Sequence, residues 1–138
     1  MLKWVYIIER KTAVKVLNTV IQTKRVSIVN HNLKGNYKLN PIFTKQIEKV
    51  DDKTYVLTLN VSVLNTPEAP FPIDLNASIQ GTFTFDEANE IQIENFMLIP
   101  AVQVLFPHLR SIVSSVTASS YIQPLLLPLM DARVFKDV

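Results

Sequence analysis

Cysteine is missing from the 138 residues. That removes a disulfide framework, a thiolate nucleophile and any zinc site of the cysteine type. Glycine occurs at Gly35 and Gly81 alone, too thinly for a phosphate-cradling loop or a glycine-rich dinucleotide turn. Any activity is therefore expected to run without a nucleotide, and no cofactor is implied. Arginines number four, and the lysines stand singly between apolar residues, which does not suit tracking of a nucleic-acid backbone. His31 and His108 fall on separate stretches without HxxxH or HExxH spacing, so no metal site is expected. Uninterrupted apolar runs stop well short of the ~18 residues that read as a membrane span. The patch Trp4 to Ile8 is cut off by Glu9, Arg10 and Lys11 before it reaches the roughly 7–15 residues of a secretory h-region. A cytoplasmic chain without membrane insertion is the expectation.

What is present is apolar material. Hydrophobic residues make up 48% of the chain and charged residues 19%, greasier than an average soluble domain and enough for one core. The net charge of +2 hides an asymmetry: residues 1–53 carry eleven Lys/Arg against four acids, and residues 54–138 carry three against eight. With the lysines so dispersed, this reads as a solvated surface.

Period two dominates the middle of the chain. Tyr55, Leu57, Leu59, Val61 and Val63 alternate with Thr58, Asn60 and Ser62, the pattern of a strand with one buried face. Ile73, Leu75, Ala77, Ile79, Phe83 and Phe85 form a second apolar row, opposed by Asp74, Asn76, Ser78, Gln80, Thr82 and Thr84. Gly81 sits on the apolar row, which suggests a bulge, a bend or a close approach. The prolines of Asn65 to Pro72 mark a loop, so the two strands pair as a long-looped hairpin. Phe43 to Ile47 makes a third strand, ended by the turn Val50-Asp51-Asp52-Lys53. Arg25 to Leu33 makes a fourth. Before it, Val14, Leu17, Val20 and Ile21 suit a short amphipathic helix, while Trp4 to Ile8 looks strand-like. Residues 1–22 are thus expected to be an N-terminal extension, and residues 23–138 the domain.

After Phe85 the period changes. Val102, Leu105, Phe106, Leu109, Ile112, Val113 and Val116 recur at three- and four-residue steps, which predicts a long helix with one apolar stripe. Pro107 belongs in its first turn, or else it kinks the helix. The other side carries Ser111, Ser114, Ser115, Ala118 and Ser119, small and uncharged where a solvated face would carry Lys and Glu. Small residues let another backbone come close, and the expected cover for that face is another subunit. Leu105, Phe106 and Leu109 are expected to anchor the helix on the sheet.

Asp86, Glu87, Glu90 and Glu94 cluster after the last strand, without a nucleophile or oxyanion site beside them. They read as a solvated loop or the negative start of a helix, and no enzyme is expected. An apolar surplus stands at the ends of elements instead: Phe71, Phe96, Met97, Leu98 and the run Leu125 to Met130. A loop this dense in Leu and Pro is a candidate for exposed grease that binds extended segments of other chains. Phe71, Leu126, Leu127, Leu129 and Met130 are the candidates for client contact.

The order of four strands, then a helix carrying Leu105-Phe106-Pro107-His108-Leu109-Arg110, then a Pro-and-Leu-rich loop around Pro124 to Pro128, resembles the SecB protein-export chaperone family. Leu105, Phe106, Pro107 and Arg110 are the most specific part of the likeness. Asn40-Pro41-Ile42-Phe43, Pro70-Phe71 and Gly81-Thr82-Phe83 add to it, over roughly residues 23–135. The resemblance implies an α+β fold, a four-stranded antiparallel sheet backed by a long C-terminal helix, assembled as a homotetramer with helices sandwiched between sheets. Ser111, Ser114 and Ser115 would then lie at the subunit interface. The activity implied is ATP-independent holding of unfolded or pre-secretory polypeptides, with many weak contacts giving avidity. The alternative is a dedicated chaperone of a single partner such as an antitoxin. Members that deliver clients to the motor SecA use acidic residues on the outer sheet face, where the strand 73–85 offers Asp74 alone, so the resemblance does not extend to that docking surface.

Overall fold

The computed structural model describes residues 4–9, 12–87 and 89–138. One sheet holds β1 (Trp4–Glu9), β2 (Thr12–Asn30), β3 (Ile42–Asp51), β4 (Thr54–Val63), β5 (Ile73–Phe85) and the two-residue β6 (Lys136–Asp137) in the spatial order β1-β2-β5-β4-β3-β6. All neighbours are antiparallel except β6, which lies parallel to β3. The four expected strands are present in a sheet wider than expected. The β4–β5 hairpin pairs Val63 with Leu75 and Thr54 with Thr84, so the alternating apolar rows of both strands face the same side. That row is buried along its length.

The largest departure is in β2. Val14, Leu17, Val20 and Ile21 belong to this 19-residue strand and not to a helix. Its register against β5 slips by one residue at Leu17 and again at Lys24, so its inward row steps Val14, Val16, Thr19, Ile21, Thr23, Val26. Val14 and Ile21 lie on that row, Leu17 is the residue at the first slip and Val20 faces away, so the helical spacing mixes the two faces of a bulged strand. β2 also runs unbroken across residues 22 and 23. On its far edge β1 pairs with Thr12 to Val16. From Leu17 to Asn30 that edge has no neighbouring strand among the described residues.

The helix comes in two pieces, α1 (Glu90–Leu98) and α2 (Pro100–Ser119). Asn89 starts α1 with a capping box: its side chain accepts from Gln92 N at 2.8 Å, and Gln92 Oε1 accepts from Asn89 N at 3.1 Å. Of the acidic cluster, Glu90 stands in the first turn of α1 and Glu94 further along it, while Asp86 and Glu87 lie in the bend that precedes it. Pro100 cannot donate a backbone hydrogen bond, and α1 ends at Ile99 for that reason. Pro107 sits inside α2, not in its first turn, and helix continues through it. Because both Gln103 and Pro107 are exposed, water can satisfy the carbonyl that Pro107 leaves unpaired.

The inner face of α2 packs Leu105, Phe106, Leu109 and Val113 onto β4 and β5. Gly81 is where Leu105 lands: a Cβ there would stand 3.2 Å from Leu105 Cδ1 and 3.0 Å from Phe83 Cε1. Gly81 is thus a close approach, and β5 stays regular. Phe96 of α1 closes the core beside β2, its ring 5.9 Å from Phe83 and 5.5 Å from Phe85. Taken together, residues 90–119 are long and apolar enough to cross a membrane, with a mean hydropathy of 1.5, and half of the relevant window is buried against the sheet. The uncharged serine face raises that hydropathy; the packing is that of a core helix.

Candidate functional site

At one end of the sheet three non-regular segments meet over an open groove of about 640 Å³. The first is the crossover from β2 to β3, which supplies Leu33, Lys34, Tyr37 and Leu39. The β4–β5 loop supplies Phe71 and Pro72, next to Ile73 at the start of β5. The third wall is the chain leaving α2, with Ile122, Gln123, Pro124 and Leu125. Phe71, Leu39, Ile122 and Leu125 are partly buried against the core, so the groove opens directly off the hydrophobic interior. Lys34 is its one charged lining residue.

Each wall is held in shape by local chemistry. In the crossover, Gly35 adopts φ 119°, and the Tyr37 hydroxyl donates to the Lys34 carbonyl at 2.9 Å. The β4–β5 loop is tied by Phe71 N donating to Asn65 Oδ1 at 3.1 Å, and by Asn65 N donating to Asp74 Oδ1 at 2.7 Å. The other Asp74 oxygen lies 3.0 Å from His31 Nε2, at an angle outside good hydrogen-bond geometry. His31 N donates to the Pro72 carbonyl at 2.8 Å. Asp74 therefore braces two walls at once. The Asn65 amide, followed by His31, holds its carboxyl below the usual carboxylate range.

The third wall begins with a reversal at the end of α2. Tyr121 takes φ 59°, with Tyr121 N donating to Ala118 O at 3.1 Å and Ile122 N to Thr117 O at 3.4 Å. These are the bonds of a Schellman ending, here built without glycine. The chain then runs back along the helix. Buried Thr117 accepts from Leu125 N at 2.8 Å while donating to Val113 O, and Arg110 Nε donates to Leu127 O at 2.8 Å. Farther on, Phe135 stacks edge-on with Phe43 and Phe106, centroids 5.0 and 5.4 Å apart, and β6 pairs with β3 beyond it.

The candidate residues thus separate. Leu105 and Phe106 are core, Pro107 is exposed, and Arg110 is the clamp that positions the loop. Leu127 is buried in the core and pegs the same loop, which leaves it inaccessible in the single chain. Phe71 lines the groove. Leu126 and Leu129 are 70% and 80% exposed, Met130 is half-buried against the core, and none of these three lines the groove. Ser111 and Ser115 are exposed and Ser114 half-exposed on the outer side of α2. Phe96 and Met97 are core. Leu33, Tyr37, Leu39 and Ile122 escaped the sequence reading because they stand in short polar or post-helical stretches without a period. The signal that was available is that each is an apolar residue flanking a proline, glycine or asparagine turn.

Residues 20–136 match the SecB family, preprotein translocase subunit SecB. The chain is 34% identical over 103 residues to the protein-export protein SecB of Psychrobacter cryohalolentis, covering 72% of this chain and 67% of that one. Against the protein-export protein SecB of Psychrobacter arcticus it is 34% identical over 96 residues, 67% of this chain and 64% of the other. It therefore spans about two thirds of the length of these relatives. Among solved structures, a SecB-like chaperone of Mycobacterium tuberculosis in complex with a ChAD peptide from the HigA1 antitoxin matches with a TM-score of 0.65 at 13% identity, covering 86% of this chain and 91% of that one. The fold is accordingly that of the SecB-like α+β chaperones. The chain belongs to the SecB family of protein-export chaperones, a family of chaperones and not of enzymes.

Proposed function

We propose that this protein is an ATP-independent holdase that keeps unfolded or pre-secretory polypeptides extended in the groove between the crossover, the β4–β5 loop and the post-helical loop. The observation that carries this reading is the groove itself: an apolar trough opening off the core, walled by three braced segments, with Phe71 in its lining. Exposed Leu126 and Leu129, with Met130 beside them, extend the apolar surface along the same loop, and Leu127 fixes that loop in place. Many such weak contacts, multiplied over a homotetramer in the cytoplasm, would give avidity without sequence specificity. The uncharged outer side of α2 with Ser111, Ser114 and Ser115, and the unpaired β2 edge, are the surfaces proposed for assembly. Ser114→Arg should then lower the oligomeric mass by light scattering; an unchanged mass removes Ser114 from the interface.

The direct test is suppression of aggregation of a slowly refolding client at stoichiometric amounts without nucleotide. Failure under those conditions sinks the holdase.

A second reading, a dedicated chaperone of one partner, is favoured by two observations. The Mycobacterium tuberculosis neighbour is bound to a single antitoxin peptide. The outer row of β5 is Asp74 followed by Asn, Ser, Gln and Thr, and Asp74 is engaged by Asn65 and His31, which leaves little for an acidic-face motor contact such as SecA. Co-purification from the native host separates the two, since a holdase brings down many clients and a dedicated chaperone one.

A further inference from the structure

The groove is apolar inside, and Lys34 is the one charged residue of its described lining. The crossover segment 31–41 contains Lys34 and Lys38 and no carboxylate. Both lysines are exposed, and neither makes an ion pair among the described residues. The opposite wall, residues 120–130, is uncharged. The carboxylates in or beside the other two walls make no ion pair with these lysines among the described residues. Asp74 is held by Asn65 and His31, and Asp131 is gripped by Arg133 at 3.0 and 2.8 Å. Glu68 is exposed on the β4–β5 loop outside the groove lining. Lys15 faces Asp86, and Lys49 faces Glu90 and Asp52; what sets the groove apart is a described lining with one cation, Lys34, and no carboxylate.

We infer that the groove selects extended client segments in which an aliphatic or aromatic side chain is flanked by Asp or Glu. The inference rests on the reading of the groove as the client site. The apolar side chain would leave water against Phe71 and Leu125. The side-chain amides of Asn32 and Gln123 face the client backbone, as extended-peptide recognition requires, and a neighbouring carboxylate meets Lys34, with Lys38 on the same crossover. Such contacts are solvated, so each adds a modest and salt-sensitive increment.

The test uses two fluorescently labelled, unstructured peptides with the same apolar centre, one flanked by Asp and Glu and the other by Lys, titrated against the full chain by anisotropy. The acidic peptide should bind roughly three- to tenfold tighter at low salt, and the ratio should fall to about one at 0.5 M salt. It should fall likewise in the Lys34→Gln/Lys38→Gln variant and invert in Lys34→Glu/Lys38→Glu. Equal affinities at low salt, or a ratio untouched by these substitutions, overturn the charge preference while leaving the groove standing, provided that Phe71→Ser still weakens both peptides. Binding that is absent, or indifferent to Phe71→Ser, overturns the groove reading and the charge preference with it. Circular dichroism of each variant verifies that the exposed substitutions leave the fold in place.

Discussion

The two ends of the sheet are built on opposite plans. At the end that holds the Val50–Lys53 turn, charge and backbone bonds close the structure. Lys49 Nζ reaches Glu90 at 3.0 Å, Lys15 reaches Asp86 at 3.6 Å, and Phe85 N donates to the Lys53 carbonyl at 2.7 Å. Helix α1 starts there under a capping box and lays Phe96 over the last strand. At the other end the strands stop at Asn30, Val63 and Ile73, and three loops surround an open trough whose lining includes Lys34, without an ion pair among the described residues. The contrast supports the proposed site. A closed end anchors the fold, and the open end can exchange internal for external apolar contacts because its loops are braced by side chains and not by sheet.

The strongest way to break this contrast is Phe71→Ser. Phe71 is half-buried and is tied at its amide by Asn65, so its loss should cost stability only about 1 kcal/mol, a fraction of full Phe burial. Client affinity should fall roughly tenfold or more, as for other central aromatic anchors. Urea unfolding and peptide anisotropy read the two quantities separately. A large stability loss with unchanged affinity would make Phe71 plain core and move the site elsewhere. Next comes Thr117→Val, which keeps the volume and removes the oxygen that accepts from Leu125 N. Leaving that amide unpartnered should destabilise by about 1–2 kcal/mol and loosen the third wall, visible as faster amide exchange at Leu125. Unchanged exchange there would show that Arg110 and Leu127 hold the loop alone.

How much of this was legible beforehand follows from which rule each element obeys. The β4–β5 hairpin and the α2 stripe are regular, and alternation or helical recurrence exposed both. β2 was opaque because apolar residues stand on both of its faces and at its first bulge, Val14 and Ile21 inward, Val20 outward and Leu17 at the slip, so no period of two shows there. The helix break at Ile99 and the reversal at Tyr121 were hidden for a different reason: Pro100 was visible but its hydrogen-bonding consequence depends on register, and Tyr121 occupies a left-handed position that glycine would have announced. Lys45 is a further case. It lies on the inner row of β3, where an apolar residue is expected, and its ammonium donates to the Leu98 carbonyl at 3.3 Å at the end of α1, where a cation complements the helix dipole. Of the residues expected from the sequence to meet a client, Phe71 lines the groove, Leu126, Leu129 and Met130 do not, and Leu127 is buried; the wall Leu33 to Leu39 has no period to read.

The brace at the open end gives the contrast a pH dependence. Asp74 has its carboxyl held below the ordinary value, first by the Asn65 amide and then by His31. A depressed folded-state value means that its ionised form stabilises the native loops above about pH 4 and that this contribution is lost as pH falls through the folded value. Asp74→Asn should therefore weaken client binding near neutrality, and the difference from the unaltered chain should hold down to about pH 4 and shrink over the acid range below it. A difference that stays constant over that range would mean the carboxylate charge is not what braces the two walls. Asp86 at the closed end is also depressed, chiefly by the Glu87 amide, so the readout must be client binding, which belongs to the open end alone.

The smallest expected effect is the sharpest control. Lys49→Met removes the ion pairs to Glu90 and Asp52 at the closed end while keeping an apolar stem. Lys49 gains affinity for its proton from Glu90, yet the pair is solvent-exposed, and exposed pairs contribute little once salt screens them. The urea midpoint should be unchanged within error at physiological ionic strength, and client affinity should not move, because neither wall of the groove touches this end. If Lys49→Met instead weakened client binding without unfolding the chain, tension at the closed end would be reaching the groove through β3 and α1. The two ends would then have to be treated as one coupled unit.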